Sequence, residues 1–472
     1  MADGSSSRSL LFVSKSSSSF IEPFLFRKIA WDWKPIPFRR VLLLFRAILQ
    51  KPERASQIRH LSLVSHEEEE ARDDWKPPSC QTDCKKEIAS FQDVLHHAQV
   101  IVESSGFPDT NTWALALKRG NPYAFVSILL SQLHNLHSLQ LDFSFVWQSG
   151  FPGLMLRHAL LSSSSKSSLS RFNSLTDVDY GANVPCDQQS FGYPEIYQDR
   201  GYPQCNPEQF PAWFYLPSLR SLKIWLQTKQ GVELPDRTPD LSRLQRLILA
   251  RTTIQEAQVP KVLSLAPHLE TLHLGMAYRW GKETALQDGS FIIQGLESLR
   301  ESLKNLSFGI EYFPPTMCGN VWLNAEEARL SSPFYGLLKH FHSLHSVEMP
   351  ANLLAGWATE PSVDLTLGLP ATVEQLCLRA DYHTIDEEGW HEDCLLDLVT
   401  QNAARLRPHM PGLKRLSVRG CPLLFGSPVH NQERDIARAA CAREGIEFEV
   451  ICDDVSNGIW TETRMSSQRQ TL

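Results

Sequence analysis

The chain has 472 residues, more than one ordinary hydrophobic core organises but a natural length for a structure that grows by stacking. Its formal net charge of −7 and pI near 6.2 argue against a nucleic-acid binder that relies on bulk positive charge. No apolar run reaches the length that spans a bilayer, and the apolar core of the opening MADGSSSRSLLFVSKSSSS is too short for a signal peptide.

Residues 1–19 are Ser-rich and are expected to be disordered. Phe38 to Gln50 has the apolar spacing of a helix, ended by Lys51-Pro52. Ile58, Leu61 and Leu63 then set an alternating frame, which makes Ile58 to Val64 the first expected repeat strand. A loop insertion over 65–85 holds the acidic run Glu67-Glu68-Glu69-Glu70 with Asp73 and Asp74, and Pro77-Pro78 after it. Helices are expected over 92–103, 111–118 and 123–133, followed by a strand at Leu136, Leu139 and Leu141. Gly153 to Leu161 reads as another helix, 162–170 as a low-complexity loop, and Phe172, Leu175 and Val178 as a degenerate strand. The Tyr-, Pro- and Gly-rich stretch 179–212 has no period and reads as a long loop packed through its aromatic side chains.

The most regular stretch runs from Leu216 to Met276. There the frame Leu-x-x-Leu-x-aliphatic recurs as Leu219/Leu222/Ile224, Leu244/Leu247/Leu249 and Leu269/Leu272/Leu274. The spacing is even, since 244 − 219 and 269 − 244 are both 25, and this period with this frame is the mark of a leucine-rich repeat. One such unit cannot cover its own apolar face, so neighbours must stack on it. The frame returns at Leu303/Leu306/Phe308, Leu344/Val347/Met349, Val373/Leu376/Leu378 and Leu413/Leu416/Val418, at longer intervals. Helices are expected over 334–342, 394–406 and 435–444, a last strand over 445–450, and a polar tail over 453–472. The expected fold is therefore an α/β, irregular leucine-rich-repeat solenoid, or horseshoe, over 56–452, with parallel strands on the concave face and helices outside.

No P-loop, dinucleotide-binding glycine motif, nucleophile elbow or His-Glu-x-x-His occurs, so neither an enzyme nor a cofactor is expected. Cys80 and Cys84 have half the spacing of a zinc finger and no second half, and read as two loop thiols. His391-Glu392-Asp393-Cys394 reads as an acidic helix start, because adjacent helical side chains do not converge as nucleophilic catalysis needs. Ten scattered cysteines show no disulfide framework, which fits reduced thiols in the cytoplasm or nucleus. The informative surface is the strand face opposite the leucines. It offers Lys223, Trp225, Arg246, Ile248, His273, Arg379, Arg415 and Arg419, a polar-to-basic row with the side-chain types that anchor protein partners. A protein segment bound on that concave face is the expected ligand, with no nucleic acid and no membrane.

The run Phe20 to Leu63 resembles the start of fungal F-box/leucine-rich-repeat proteins. The residues that carry the likeness are Ile21-Glu22-Pro23-Phe24-Leu25-Phe26-Arg27-Lys28-Ile29, Phe45-Arg46-Ala47-Ile48-Leu49 and Ile58-Arg59-His60-Leu61-Ser62-Leu63. The resemblance implies that residues 20–55 are an F-box-proximal remnant and helical cap. Nothing before Phe20 matches the Leu-Pro-x-Glu-like opening of that motif, so the F-box is expected to be truncated or degenerate. In that family the F-box docks on a Skp-type adaptor of a cullin ubiquitin ligase and the repeats hold the substrate. A free-standing repeat scaffold is the alternative.

Overall fold

A computed structural model describes residues 24–65, 83–148, 150–162, 169–184, 205–228, 238–279, 289–313, 336–355, 364–379, 392–420 and 431–452. The chain divides into two compact units. The first holds strands β1 (Lys28–Asp32), β2 (His60–Val64), β3 (Ser138–Leu141), β4 (Asp177–Tyr180) and β5 (Ser221–Ile224). The second holds β6 (Arg246–Thr252), β7 (Thr271–Arg279), β8 (Asn305–Phe313), β9 (Ser346–Pro350), β10 (Gln375–Arg379), β11 (Arg415–Gly420) and β12 (Glu447–Cys452). Within each unit every strand pairs in parallel with the next one in the sequence. The protein is thus α/β, with an open, all-parallel sheet and helical or irregular crossovers.

The register follows from the aliphatic frame. In the first unit Ile29, Leu61, Leu139, Val178 and Leu222 stand side by side. In the second the corresponding row is Leu247, Leu272, Leu306, Val347, Leu376, Leu416 and Phe448. All are buried, because a slip of one residue would turn each row to the opposite face. A backbone device repeats with the rows. The carbonyl of the residue before one strand accepts two consecutive N–H groups at the start of the next strand. Arg59 O does so from His137 and Ser138, Gln245 O from Glu270 and Thr271, and Glu374 O from Lys414 and Arg415, at 2.7–3.2 Å. The first leucine of the frame closes a turn just upstream, as when Leu244 N donates to Leu241 O at 2.9 Å and Leu413 N to Met410 O at 3.0 Å. These strands therefore start from one fixed corner.

The helices supply the other side of the core. Helix α1 (Phe38–Gln50) buries Phe38, Val41, Leu42, Phe45 and Ile48, the one-face spacing of an amphipathic helix. It stops at Lys51, whose extended backbone is what a following proline imposes. Helix α2 (Gln92–Ser105) and helix α3 (Thr110–Lys118) lead to α4 (Pro122–Leu130). Every residue of α4 is buried, which marks a helix enclosed on all sides. Its start is fixed by Pro122 and by the Asn121 side chain, which accepts from Tyr123 N at 2.9 Å and Ala124 N at 3.1 Å. Helix α5 (Phe151–Leu161) follows in the first unit, and α6 (Glu392–His409) packs on α7 (Asn431–Arg443) in the second.

Several expectations change. The strand expected over Ile58 to Val64 spans His60–Val64 and has one strand before it, Lys28–Asp32, which pairs with it in full register. Lys28–Asp32 lacks the leucine frame and so carries no repeat signature. Of the expected helix over 334–342, the described residues 336–342 hold one tight 3-10 turn at Leu338–His340. Gly336 sits at φ +80°, a left-handed conformation that breaks a right-handed helix just before it. The stretch 179–212 is not all loop. Asp179 and Tyr180 complete β4, and Pro207–Gln209 and Pro211–Tyr215 form 3-10 turns. Their Phe210 and Trp213 rings pack on Tyr180 with centroids 6.5 and 4.5 Å away. The Ser-rich 1–19, the acidic run 67–74 and the tail 453–472 lie outside the described residues.

Gln209 ties this segment to α5. Its amide accepts from the Tyr180 hydroxyl and donates to Val146 O at 3.2 Å. Gly153 allows the approach, since a Cβ there would lie 2.1 Å from the Gln209 carbonyl oxygen. Gly153→Ala is expected to lower stability by about 1–3 kcal/mol in urea unfolding, because backbone must move to admit the methyl. Gly412→Ala serves as a control and is expected to be near neutral, as its Cβ would meet nothing nearer than Glu374 Cγ at 3.7 Å.

Candidate functional site

The candidate surface is the polar face of the strands, opposite the leucine rows. In the first unit it stays accessible. Ala30, Ser62, Gln140, Asp179 and Lys223 form one cross-strand row, all exposed or half-buried. Ser62 Oγ donates to Gln140 Oε1 at 2.9 Å. In the second unit the same face is graded. The leading row, Arg246, Thr271, Asn305, Ser346, Gln375, Arg415 and Glu447, is partly open throughout. Two residues further along, Ile248, His273 and Ser307 are buried.

The eight expected contact residues therefore fall into two groups. Lys223, Arg246 and Arg415 are half-buried. Trp225, Ile248, His273, Arg379 and Arg419 are buried and offer no side chain to a partner in this conformation. Each departure has a physical cause. Strand β5 ends at Ile224, so the alternation that placed Trp225 on the open face does not run through it. Ile248 belongs to a strand covered on both faces, as parallel sheets usually are. His273 and the two arginines face protein groups.

Those groups form a charged cluster. Glu348 Oε1 accepts from Arg379 Nη1 and from Arg419 Nη1, the latter at 2.7 Å. The arginine side chains are only 2% and 8% exposed and that of Glu348 14%. Across the row, His273 Nδ1 and Ser307 Oγ are 2.8 Å apart, and Ser307 is the register partner of both His273 and Glu348. Burial alone would raise the Glu348 pKa. The charges of Arg419 and Arg379 outweigh it, with help from His273, and hold the carboxyl at about 2. The thiol of Cys377 is pushed up to about 12 by burial, with the Glu348 charge adding to the effect. It is therefore a protonated, unreactive thiol at neutral pH. The His273–Ser307 pair holds base and hydroxyl types, but Ser307 is 3% exposed, so a substrate has no solvent route to it here.

Glu348 was absent from the expected row although its sequence position marks it. In Leu344-x-x-Val347-x-Met349 it occupies the slot that His273 and Ser307 hold in their repeats. The other candidate motifs give little. Cys84 is buried, while Cys80 and His391 lie outside the described residues. Among the described residues no group of three or more His, Cys, Asp or Glu could hold a metal, and no helix is long and apolar enough to cross a membrane. No model of a known protein family matches the chain, and no curated protein matches it.

The cluster makes stability depend on acid. Glu348 has a folded pKa of about 2 against an ordinary 4.5, so its stabilisation is present above pH 4.5 and is lost as pH falls toward 2. The loss is expected to be about 3 kcal/mol. Glu348→Gln is expected to destabilise the chain by about 3–5 kcal/mol at neutral pH by leaving two buried guanidinium groups without their shared carboxylate. It should also flatten the pH dependence between 4.5 and 2. Unfolding free energies measured across that window for both proteins check it.

Proposed function

We propose that the chain is a leucine-rich-repeat solenoid that works as a protein-interaction module. On this reading it is the substrate-recognition subunit of a cullin ubiquitin ligase, akin to fungal F-box/leucine-rich-repeat proteins. The observation that carries it is the repeated register: aliphatic rows on one face, a polar row on the other, and the same double-acceptor corner before strand after strand. A parallel sheet extended one strand at a time yields a long surface rather than a closed pocket, and that shape suits a protein ligand. The contacts assigned to a partner are the half-buried polar residues of each unit, Lys223 in the first and Arg246 and Arg415 in the second. Catalysis is assigned to other subunits of the ligase.

A free-standing scaffold is the second reading. The described part of the run that resembles the F-box family contributes β1, α1 and β2, so it serves the sheet as well as any adaptor. Calorimetric titration of a purified Skp-type adaptor into the full chain separates the two. The receptor reading expects a one-to-one complex with micromolar or tighter affinity, corresponding to about −8 kcal/mol or better. Lack of heat and of co-elution would leave the scaffold reading.

A further inference from the structure

The leading ends of β1, β2 and β3 carry a cluster of basic side chains that the expected contact row does not include. Arg27, Arg59 and His137 are brought together by the backbone, since Arg59 N donates to Arg27 O at 3.0 Å and His137 N to Arg59 O at 2.7 Å. Lys28 and His60 are direct register partners on the next row. The His60 and His137 rings stand 6.4 Å apart. Arg27, Lys28 and Arg59 are exposed, and the two histidines are half-buried. Five groups of one charge type thus meet on three neighbouring strands of a chain whose formal net charge is −7.

Their surroundings offer little compensation. No ion pair joins Arg27, Lys28 or Arg59 to a carboxylate among the described residues. His60 faces Arg27 and Lys28 from the β1 side, Arg59 from its own strand and His137 from the β3 side. The nearest acid along its row is Asp177 on β4, beyond Ser138, and Asp177 already accepts from Thr176 Oγ1 at 2.6 Å. Burial holds the His60 ring below its ordinary pKa, and His137, Arg27, Lys28 and Arg59 push it the same way. A ligand that brought carboxylates here would relieve that repulsion rather than add to it.

We infer that this strip binds an acidic, extended segment of a partner protein. The inference rests on the reading of the chain as a protein-interaction module and gives that partner a chemistry and a place. Three strands span about 10 Å, and alternate side chains of an extended peptide lie about 7 Å apart on one face. Two acidic side chains spaced i, i+2 can therefore reach basic groups of different strands of the strip. Ser62 and Gln140, adjacent on the open face, offer neutral polar groups to the intervening backbone. A nucleic acid fits less well. The strip meets only a few phosphates, so counterion release is small, and the acidic remainder of the chain repels a long polyanion.

The test is fluorescence anisotropy of a labelled hexaglutamate peptide titrated with the full chain at about 50 mM and about 300 mM salt. Saturable binding is expected at the lower salt, weakened at the higher. It should also be weakened about tenfold by Arg27→Gln with Arg59→Gln. Affinity should rise as pH falls from about 7.5 to about 5.5, because carboxylates bound beside His60 favour the charged ring that its cationic neighbours disfavour, and His60→Gln, alone or with His137→Gln, should remove that rise. The four side chains are at the surface or half-buried, and Lys28→Gln, which should weaken binding in the same sense, is a second variant if a double one misfolds. Absence of binding, binding unchanged in the arginine variant, or tighter binding of an oligothymidylate of equal charge would each overturn the inference. Adaptor titration of the same proteins keeps the two readings apart. A chain that binds adaptor but not hexaglutamate loses only the strip, and one that binds hexaglutamate but not adaptor loses only the ligase assignment.

Discussion

Every strand here must place its aliphatic side chains beside those of its neighbours, and a parallel pairing allows that only in one register. With side chains alternating between faces, a shift of one residue would bring Lys223 where Leu222 stands and turn the row inside out. The constraint is enforced twice. The rows bury apolar area, and at most of the pairings the carbonyl before one strand fixes the start of the next by taking two consecutive N–H groups there. Between these fixed corners the chain is free to vary. The interval from Leu222 to Leu247 is 25 residues (247 − 222), while that from Leu61 to Leu139 is 78 (139 − 61). Helices α2, α3 and α4 all fit inside the longer one, because the corner specifies where a strand begins and not how the chain arrives there.

The same constraint leaves the opposite face to polar residues, and the two units use it differently. In the first unit the row through Ser62, Gln140 and Lys223 remains accessible. In the second, Ile248, His273, Ser307 and Ser417 of the same register position are withdrawn from solvent, and a carboxylate is held between two arginines. Breaking such a cluster costs more than forming it gains. Its effect is therefore on specificity of arrangement: Glu348, Arg379 and Arg419 come from three consecutive strands, and only the native register lets them meet.

The leucine frame made most of the strands legible from sequence, and it did so because buried aliphatic rows are a direct record of which face is covered. The amphipathic helices α1 and α2 were equally plain, and α6 and α7 were visible from their apolar stripes. What escaped were elements without that record. Lys28–Asp32 is a strand because β2 offers it an edge, and its own residues show only Ile29 and Trp31 on the paired side. Alternation places a residue on a face but says nothing about whether the face is open. That is why Arg379, Arg419 and His273 could be assigned to the polar side while their burial stayed hidden. Glu348 was recoverable by the same frame, since its slot is fixed by Val347 and Met349.

These observations bear on where a ligand can act. A buried arginine already sharing a carboxylate has little to offer a partner, because drawing it out would strip Glu348 of one of its two partners in a site that penalises its charge. An exposed arginine beside other cations is in the opposite position, since a carboxylate placed among them lowers the energy of all. Arg27 and Arg59 meet that description and Arg379 and Arg419 do not, although all four are arginines on, or just before, sheet strands. Residue type alone therefore does not identify a binding surface on a parallel sheet. The distinction lies in which charges the fold has already neutralised, and under the proposed function it favours the leading ends of the first strands over the buried arginines.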